Sequence, residues 1–293
     1  MKIALFCAYN QSVTEEYAHT IHRLVQDKGH TISIDLRLQK NFDSAGRAAD
    51  YFDSSQGQAS DFDVLFSLGG DGTLLRSIPF IYNSNVPILG INTGRLGFLT
   101  SLQKEFLEKG LDLFFEGHYK TIHRSLIQIQ TDSQVEAIED FGYALNEVTL
   151  IRKNTTSMLN IETQINGREL TTYWADGLIV STPTGSTGYS MSNGGPILTP
   201  ATENFILSPI APHNINLRPL VLPDSDQISI RVNGRGTHHL LSMDARSISL
   251  PMNTEITLQK APFQIQTIQI QGDNFFNTLR NKLFWGFDTR NEQ

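Results

Sequence analysis

Residues 69–73 read GGDGT and directly follow the apolar run FDVLFSL, 62–68. Bare backbone on both sides of a carboxylate lets a polar ligand come very close to Asp71. N–H groups at the start of the following helix favour an anion there. The turn is not a P-loop, because GxxxxGK[ST] occurs nowhere in the chain, and GxGxxG is also absent. Anion binding alone does not account for Asp71, which repels phosphate. A carboxylate beside a phosphate cradle makes sense where it takes a proton from a hydroxyl that attacks phosphorus. The residues leave a second reading open, a tight strand–helix turn capped by Asp71.

The second chemistry-bearing stretch is DGLIVSTPTGSTGYSMSNGGPI, residues 176–197. A strand over 178–181 runs into Thr182-Pro183-Thr184-Gly185-Ser186-Thr187-Gly188-Tyr189-Ser190. Hydroxyls and backbone amides bind phosphate and amide groups, and a tyrosine face stacks on a purine. A Ser/Thr-rich hairpin loop with no ligand is the alternative.

The elements that must position these residues change character along the chain. Up to about residue 118, strands alternate with helices. KIALFC is a strand; Val13, Tyr17, Ile21, Leu24 and Val25 form a helical stripe ended by Gly29; TISIDL, FDVLFSL and VPILGIN are further strands. Residues 39–60 read as a long mobile loop with room for a short helix. A helix starts near Thr73, where Pro79 should kink or shorten it, and another lies near 103–115. This alternation predicts an α/β domain over 1–118 with a parallel sheet. Over 119–273 the rhythm is short runs of period two, and Asn166–Gly167 marks a hairpin, predicting a layered antiparallel β domain. The tail, 274–293, returns to helix with Phe275, Phe276, Leu279 and Leu283 on one side, and is expected to pack back on the first domain.

Composition narrows the classes. With 293 residues, 39% hydrophobic and 18% charged, the chain is long enough for two globular domains. A net charge of −7 argues against nucleic acid or an anionic membrane as partner. No run is long enough to span a bilayer, and the short apolar start followed by Asn10 and Gln11 reads as a strand of a cytoplasmic protein. Cys7 is the only cysteine, a small core residue in that strand. The histidines show no ligand spacing, and His238–His239 would face opposite ways in a strand, so no structural metal is expected.

GGDGT (69–73), NTGRLGFLT (92–100), LNEVTL (145–150), the 176–197 stretch and RPLVLP (218–223) together resemble the NAD kinase family, in its order and over most of the chain. The resemblance implies transfer of the γ-phosphoryl group of ATP to the adenosine ribose 2′-hydroxyl of NAD, giving NADP. Magnesium or another divalent cation would travel with ATP. By this resemblance Asp71 is the catalytic base, and Gly70 and Gly72 belong to the nucleotide-binding turn. Asn146 and Glu147 hold the adenosine part, and Asp176 lies near the nicotinamide end. Thr187, Gly188, Tyr189, Ser190, Met191 and Ser192 form the loop around the adenosine, with Gly188 where the family usually has alanine. Phe98 and Ala211 are apolar wall positions. Arg76 is one helical turn past GGDGT and within reach of phosphate. Arg246, in SMDAR (242–246), is a candidate partner for a substrate phosphate. The family also implies a homo-oligomer, tetramer or dimer, whose site a neighbouring chain completes. Trp174 is a plausible interface aromatic, or alternatively a core residue.

Two other readings share features with this one. A diacylglycerol or sphingosine kinase shares GGDGT but needs an apolar acceptor pocket, which the polar 182–192 loop opposes. A non-catalytic NAD(H) sensor would keep the pocket but has no use for Asp71. ATP against polyphosphate as donor, and NAD against NADH as acceptor, stay open.

Overall fold

The structure, a computed structural model, describes residues 1–8, 12–44, 49–56, 59–94, 97–154, 156–272 and 274–285. The chain forms two compact units, Met1–His123 with Ile265–Gln293, and Arg124–Gln264.

The first unit contains β1 (Lys2–Phe6), α1 (Ser12–Asp27), β2 (Thr31–Asp35), α2 (Gln39–Ser44), β3 (Asp50–Phe52), β4 (Val64–Leu68), α3 (Asp71–Ile81), β5 (Ile88–Asn92), β6 (Leu102–Gln103) and α4 (Leu107–Phe115). Its strands are parallel in the order β3-β2-β1-β4-β5. β4 and the first four residues of its neighbour's apolar run are buried on both faces, as a parallel sheet covered by helices requires. Sequential strands step outward one way from β1 to β3 and the other way from β4 to β5. The boundary between β1 and β4 is therefore the switch point at whose carboxyl end ligands bind in open α/β sheets. GGDGT leaves β4 there. Ile3, Leu5, Phe66, Ile21, Leu89 and Phe114 form one core, in which each fully buried side chain contributes roughly 1.5–3 kcal/mol. Cys7 lies in this core.

Three local expectations need correction or refinement. The stretch 39–60 carries α2 and the edge strand β3, not only a loop, because Phe42 is fully buried and Tyr51 packs against the core. Pro79 sits inside α3, which ends two residues later at Ile81, with Tyr82 as its C-cap at φ +42°. The tail helix α7 spans Phe275–Leu283, with Leu279 buried but Phe276 61% exposed. Residues 286–293 of the expected tail helix, the Val13 side chain and Arg95–Leu96 of NTGRLGFLT lie outside the described residues.

The second unit contains most of β7 (Tyr119–Thr131), then α5 (Glu136–Phe141), β8 (Tyr143–Ala144), β9 (Glu147–Arg152), β10 (Leu159–Ile165), β11 (Arg168–Ala175), β12 (Gly177–Ser181), α6 (Tyr189–Ser192), β13 (Asn204–Ile210), β14 (Leu220–Pro223), β15 (Ile228–Asn233), β16 (His238–Met243), β17 (Arg246–Pro251) and the first part of β18 (Glu255–Ile270). One antiparallel layer runs β14-β13-β12-β9-β16-β17, and the other runs β11-β10-β15-β18. Alternate residues of both layers, including Leu150, Val180, Leu241, Ile161 and Ile230, meet in a single apolar core. Asn166 and Gly167 join β10 to β11 with φ +51° and +73°, the left-handed pair that a two-residue hairpin favours.

Candidate active site

Asp71 is the first residue of α3, and Gly70 is its N-cap without any side-chain cap bond. The carboxylate does not cap its own helix. It crosses to the NTGRLGFLT segment, where Oδ2 accepts from the Phe98 N–H at 2.7 Å and Oδ1 from the Leu99 N–H at 3.1 Å. The Thr100 hydroxyl lies 3.4 Å from Oδ1. Gly97 makes this approach possible, since a Cβ there would stand 1.7 Å from Asp71 Oδ1. The reading of Asp71 as a helix cap is thus wrong: it anchors a second loop and stays half-buried.

Of the three glycines of the turn, only Gly69 has positive φ. Gly70 has φ −90°, and space is open around a Cβ at Gly70 or Gly72. Gly69 is the constrained one, with φ +148° and a notional Cβ 2.2 Å from Thr73 Oγ1. Arg76 is exposed on α3, one turn beyond the carboxylate. Phe98 gives its N–H to Asp71, and its half-buried ring faces α7, 6.3 Å from the Phe275 ring and 4.8 Å from Lys282 Nζ.

In the second unit, antiparallel register brings distant segments to one end of the six-stranded layer. Ser181, ending β12, pairs with Glu147, starting β9; Met243, ending β16, pairs with Val148. The 182–192 loop and the β16–β17 turn therefore flank Asn146–Glu147 from either side. Thr182 fastens the loop, with its hydroxyl on Leu145 O at 2.6 Å and its N–H on Asn146 O at 2.9 Å. Gly185 must be glycine, because a Cβ would lie 2.1 Å from Asn146 O. Opposite, the Asp244 carboxylate accepts from the backbone N–H groups of Leu145, Asn146 and Glu147 at 2.8, 2.7 and 3.2 Å.

The loop hydroxyls separate into two groups. Thr182, Thr184 and Ser186 are buried and hold the loop itself: Thr184 accepts from Arg124, and Ser186 donates to Pro183 O. Thr187 donates to Thr184 O. Tyr189 is 40% exposed at the start of α6, and Met191 and Ser192 reach the surface beside it. Two buried polar atoms here, Asn146 Oδ1 and Glu147 Oε2, have no protein partner, and neither has Ser190 Oγ, which lies beside Gly195. Buried polar groups are almost always paired, so the open atoms of Asn146 and Glu147 are suited to hydrogen-bond a ligand or water. Gly188 leaves room for it, since a Cβ would stand 2.9 Å from Glu147 Oε2 and 3.5 Å from Asn146 Nδ2. Burial, then the charge of Asp244, pushes the Glu147 carboxyl up to about 7, against the pull of the Tyr189 N–H. Burial also raises Asp244, against its three amide donors and Arg246.

The structure does not bring Asp176 or Ala211 into this cluster. Asp176 precedes β12 and Ala211 follows β13, at the opposite end of the same layer from Glu147. The five residues of β12 make that separation roughly 17 Å at ~3.3 Å per residue. Asp176 pairs there with Arg152, 3.1 Å apart, and Ala211 is held at φ +44°. Arg246 does not present its guanidinium as a phosphate ligand. It donates to the carbonyls of Phe141 and Tyr143, with the Phe141 ring 4.7 Å away. Trp174 is not a core residue, being 57% exposed.

Residues 3–119 match the family model described as the ATP-NAD kinase N-terminal domain, and residues 145–270 match the ATP-NAD kinase C-terminal domain. The chain belongs to the NAD kinase family. It is thus a phosphotransferase with NAD as acceptor, and the lipid-kinase alternative falls. Family members similar to it include the NAD kinase of Flavobacterium psychrophilum, 45% identical over 99% of this chain and 100% of that protein. The NAD kinase of Christiangramia forsetii is 43% identical over the same shares. An Archaeoglobus fulgidus NAD kinase solved in complex with ATP superposes with a TM-score of 0.76 at 26% identity, over 97% of this chain and 99% of that one. Yeast NADH kinase complexed with NADH shares the fold, with a TM-score of 0.86 at 22% identity, over 100% and 90% of the two chains.

Sequence reasoning missed Asp244 and Gly97. Asp244 left one signal. It occupies a two-residue hairpin turn, Asp244–Ala245, where Asn–Gly or Asp–Gly is preferred, which hints that the carboxylate itself is required.

Proposed function

We propose that the chain transfers the γ-phosphoryl group of ATP to the 2′-hydroxyl of the adenosine ribose of NAD, with Asp71 as general base. The observation that supports the acceptor assignment best is the pair of unpaired buried atoms on Asn146 and Glu147, whose side chains converge on Gly188. Glu147 accepts from ribose hydroxyls, Asn146 offers a donor and an acceptor, and the exposed Tyr189 ring is free to stack on adenine. Thr187, Gly188, Met191 and Ser192 complete the adenosine loop, Asp176 lies near the nicotinamide end, and Ala211 is an apolar wall position.

For Asp71, two backbone N–H groups and the Thr100 hydroxyl orient the carboxylate while leaving an acceptor position on Oδ2, which takes only the Phe98 N–H. That is what a base needs: a fixed direction and a vacant lone pair for the ribose proton. The backbone at Gly70 and Gly72 and the Arg76 side chain address the ATP phosphates, and Phe98 walls the site. Magnesium bound with ATP would neutralise charge on the phosphates. A cation of this kind would be held mainly by the ATP phosphates and water.

We place the enzyme in the cytoplasm, as a homo-oligomer. No helix among the described residues is long and apolar enough to cross a membrane. The placement of Asp176 and Glu147 at opposite ends of one layer supports a site completed by a neighbouring chain, as does the exposed Trp174. Purified protein incubated with magnesium, ATP and NAD should yield NADP on chromatography; parallel reactions with polyphosphate and with NADH define donor and acceptor. Absence of NADP from NAD and of NADPH from NADH, with either donor, overturns the proposal. Light scattering that finds an active monomer overturns the oligomer.

A further inference from the structure

We infer that Asp244 is the positioning residue of the acceptor site, holding the backbone of Asn146–Glu147 in the one geometry that aims both side chains at the ligand. This rests on the reading of that pair as adenosine ligands.

Three consecutive N–H groups, of Leu145, Asn146 and Glu147, converge on one carboxylate 97 to 99 residues away in sequence. The contact is reciprocal, because the Asp244 N–H donates to Glu147 O at 3.1 Å. On the other side, Thr182 and Ser181 hold the carbonyls of Leu145 and Asn146. The backbone of the pair is thus clamped on both edges, while the side-chain atoms Asn146 Oδ1 and Glu147 Oε2 remain unpaired. Main chain fully engaged and side chains left open is the arrangement of a preorganised binding site.

Only a carboxylate suits this task. Two oxygens accept three amides, whereas an asparagine would turn an NH2 group toward the Leu145 N–H. The position also exacts a conformation that residues other than glycine seldom take, φ +51°, which Asp tolerates. Glycine would be easier in that turn, so the side chain must matter. The Asp244 charge also bears on Glu147, which a neutral replacement would remove.

The test uses Asp244→Asn, Asp244→Gly and Glu147→Ala in the full chain, assayed with ATP, magnesium and NAD. Asp244→Asn should raise KM for NAD about tenfold while leaving kcat and the KM for ATP within about threefold. Asp244→Gly, which suits the turn and lacks only the carboxylate, should do the same. Amide hydrogen exchange at Leu145, Asn146 and Glu147 should quicken in both variants. Asp244→Asn should add little in the Glu147→Ala background, because the two act through one contact. A lowered Tm with an unchanged KM for NAD would overturn the inference and leave Asp244 a fold residue. If Glu147→Ala also keeps a normal KM, the adenosine reading itself falls, and the inference with it. Fast exchange of the three amides in the wild-type protein overturns it whether or not the variants fold.

Discussion

Asp71 and Asp244 do nearly the same thing in two unrelated settings. Each sends a carboxylate across the fold to successive backbone N–H groups of a loop far away in sequence: Phe98 and Leu99 for Asp71, Leu145 to Glu147 for Asp244. The difference lies in what is left over. Asp71 opens helix α3 at the switch point of a parallel sheet, beside glycines with open space around them, and keeps acceptor capacity for a reacting hydroxyl. Asp244 has three amides on it and presents other residues rather than itself. In the roles proposed for them, the same bond would serve chemistry in one unit and grip in the other. Substitutions around Asp71 should move kcat, and those around Glu147 should move the KM for NAD.

The sharpest break of that comparison is Asp71→Asn. Asn keeps one acceptor for the loop amides but takes no proton, so kcat should fall roughly 10²–10⁴-fold while the KM for NAD changes little. One loop bond is lost as well, so Tm should drop modestly. Near-normal turnover with the same Tm loss would make Asp71 a loop anchor only, like Asp244.

Gly97→Ala tests the seat rather than the base. Its Cβ would occupy the place of Asp71 Oδ1. A displacement on the order of 1 Å costs up to about 10²-fold, so kcat should fall with the carboxylate still present. Normal kcat in this variant would show that the seat is not needed for turnover.

On the grip side, Tyr189→Ala should raise the KM for NAD roughly 5- to 150-fold, the equivalent of about 1–3 kcal/mol, and spare kcat, since stacking on adenine is felt equally in ground and transition states. A fall in kcat alone would place Tyr189 with Asp71 and blur the division between the units.

The smallest effect concerns pH. The Glu147 carboxyl is pushed from 4.5 up to about 7 in the folded protein, so the native state holds this proton more tightly than the unfolded state does. Stability should therefore be unpenalised below about pH 4.5 and decline as pH rises toward and past 7. Relative to wild type, Glu147→Gln should have a similar Tm at pH 4.5 and a higher one at pH 8. Equal differences at both values would mean that Glu147 ionises freely.

The sequence alone determined a good deal. Period-two and helical stripes, with Asn166–Gly167 between strands, prescribed an α/β unit followed by an antiparallel one, because backbone geometry ties each pattern to one kind of element. GGDGT and the 176–197 stretch announced where polar groups would gather, because bare backbone and clustered hydroxyls have few other uses. Local pattern could not say which hydroxyls face a ligand. Thr182, Thr184 and Ser186 turned inward to hold the loop, while Ser190 stayed unpaired. It could not show that Arg246 would close on Phe141 and Tyr143, or that Asp176 and Glu147 would sit at opposite ends of one layer. Gly97 beneath Asp71 and Asp244 beneath Asn146–Glu147 were equally hidden. These pairings depend on strand order and register, which join residues 26 to nearly 100 positions apart. Register is chosen by how the two faces of each sheet bury their apolar side chains, a property of the assembled core that no short stretch contains.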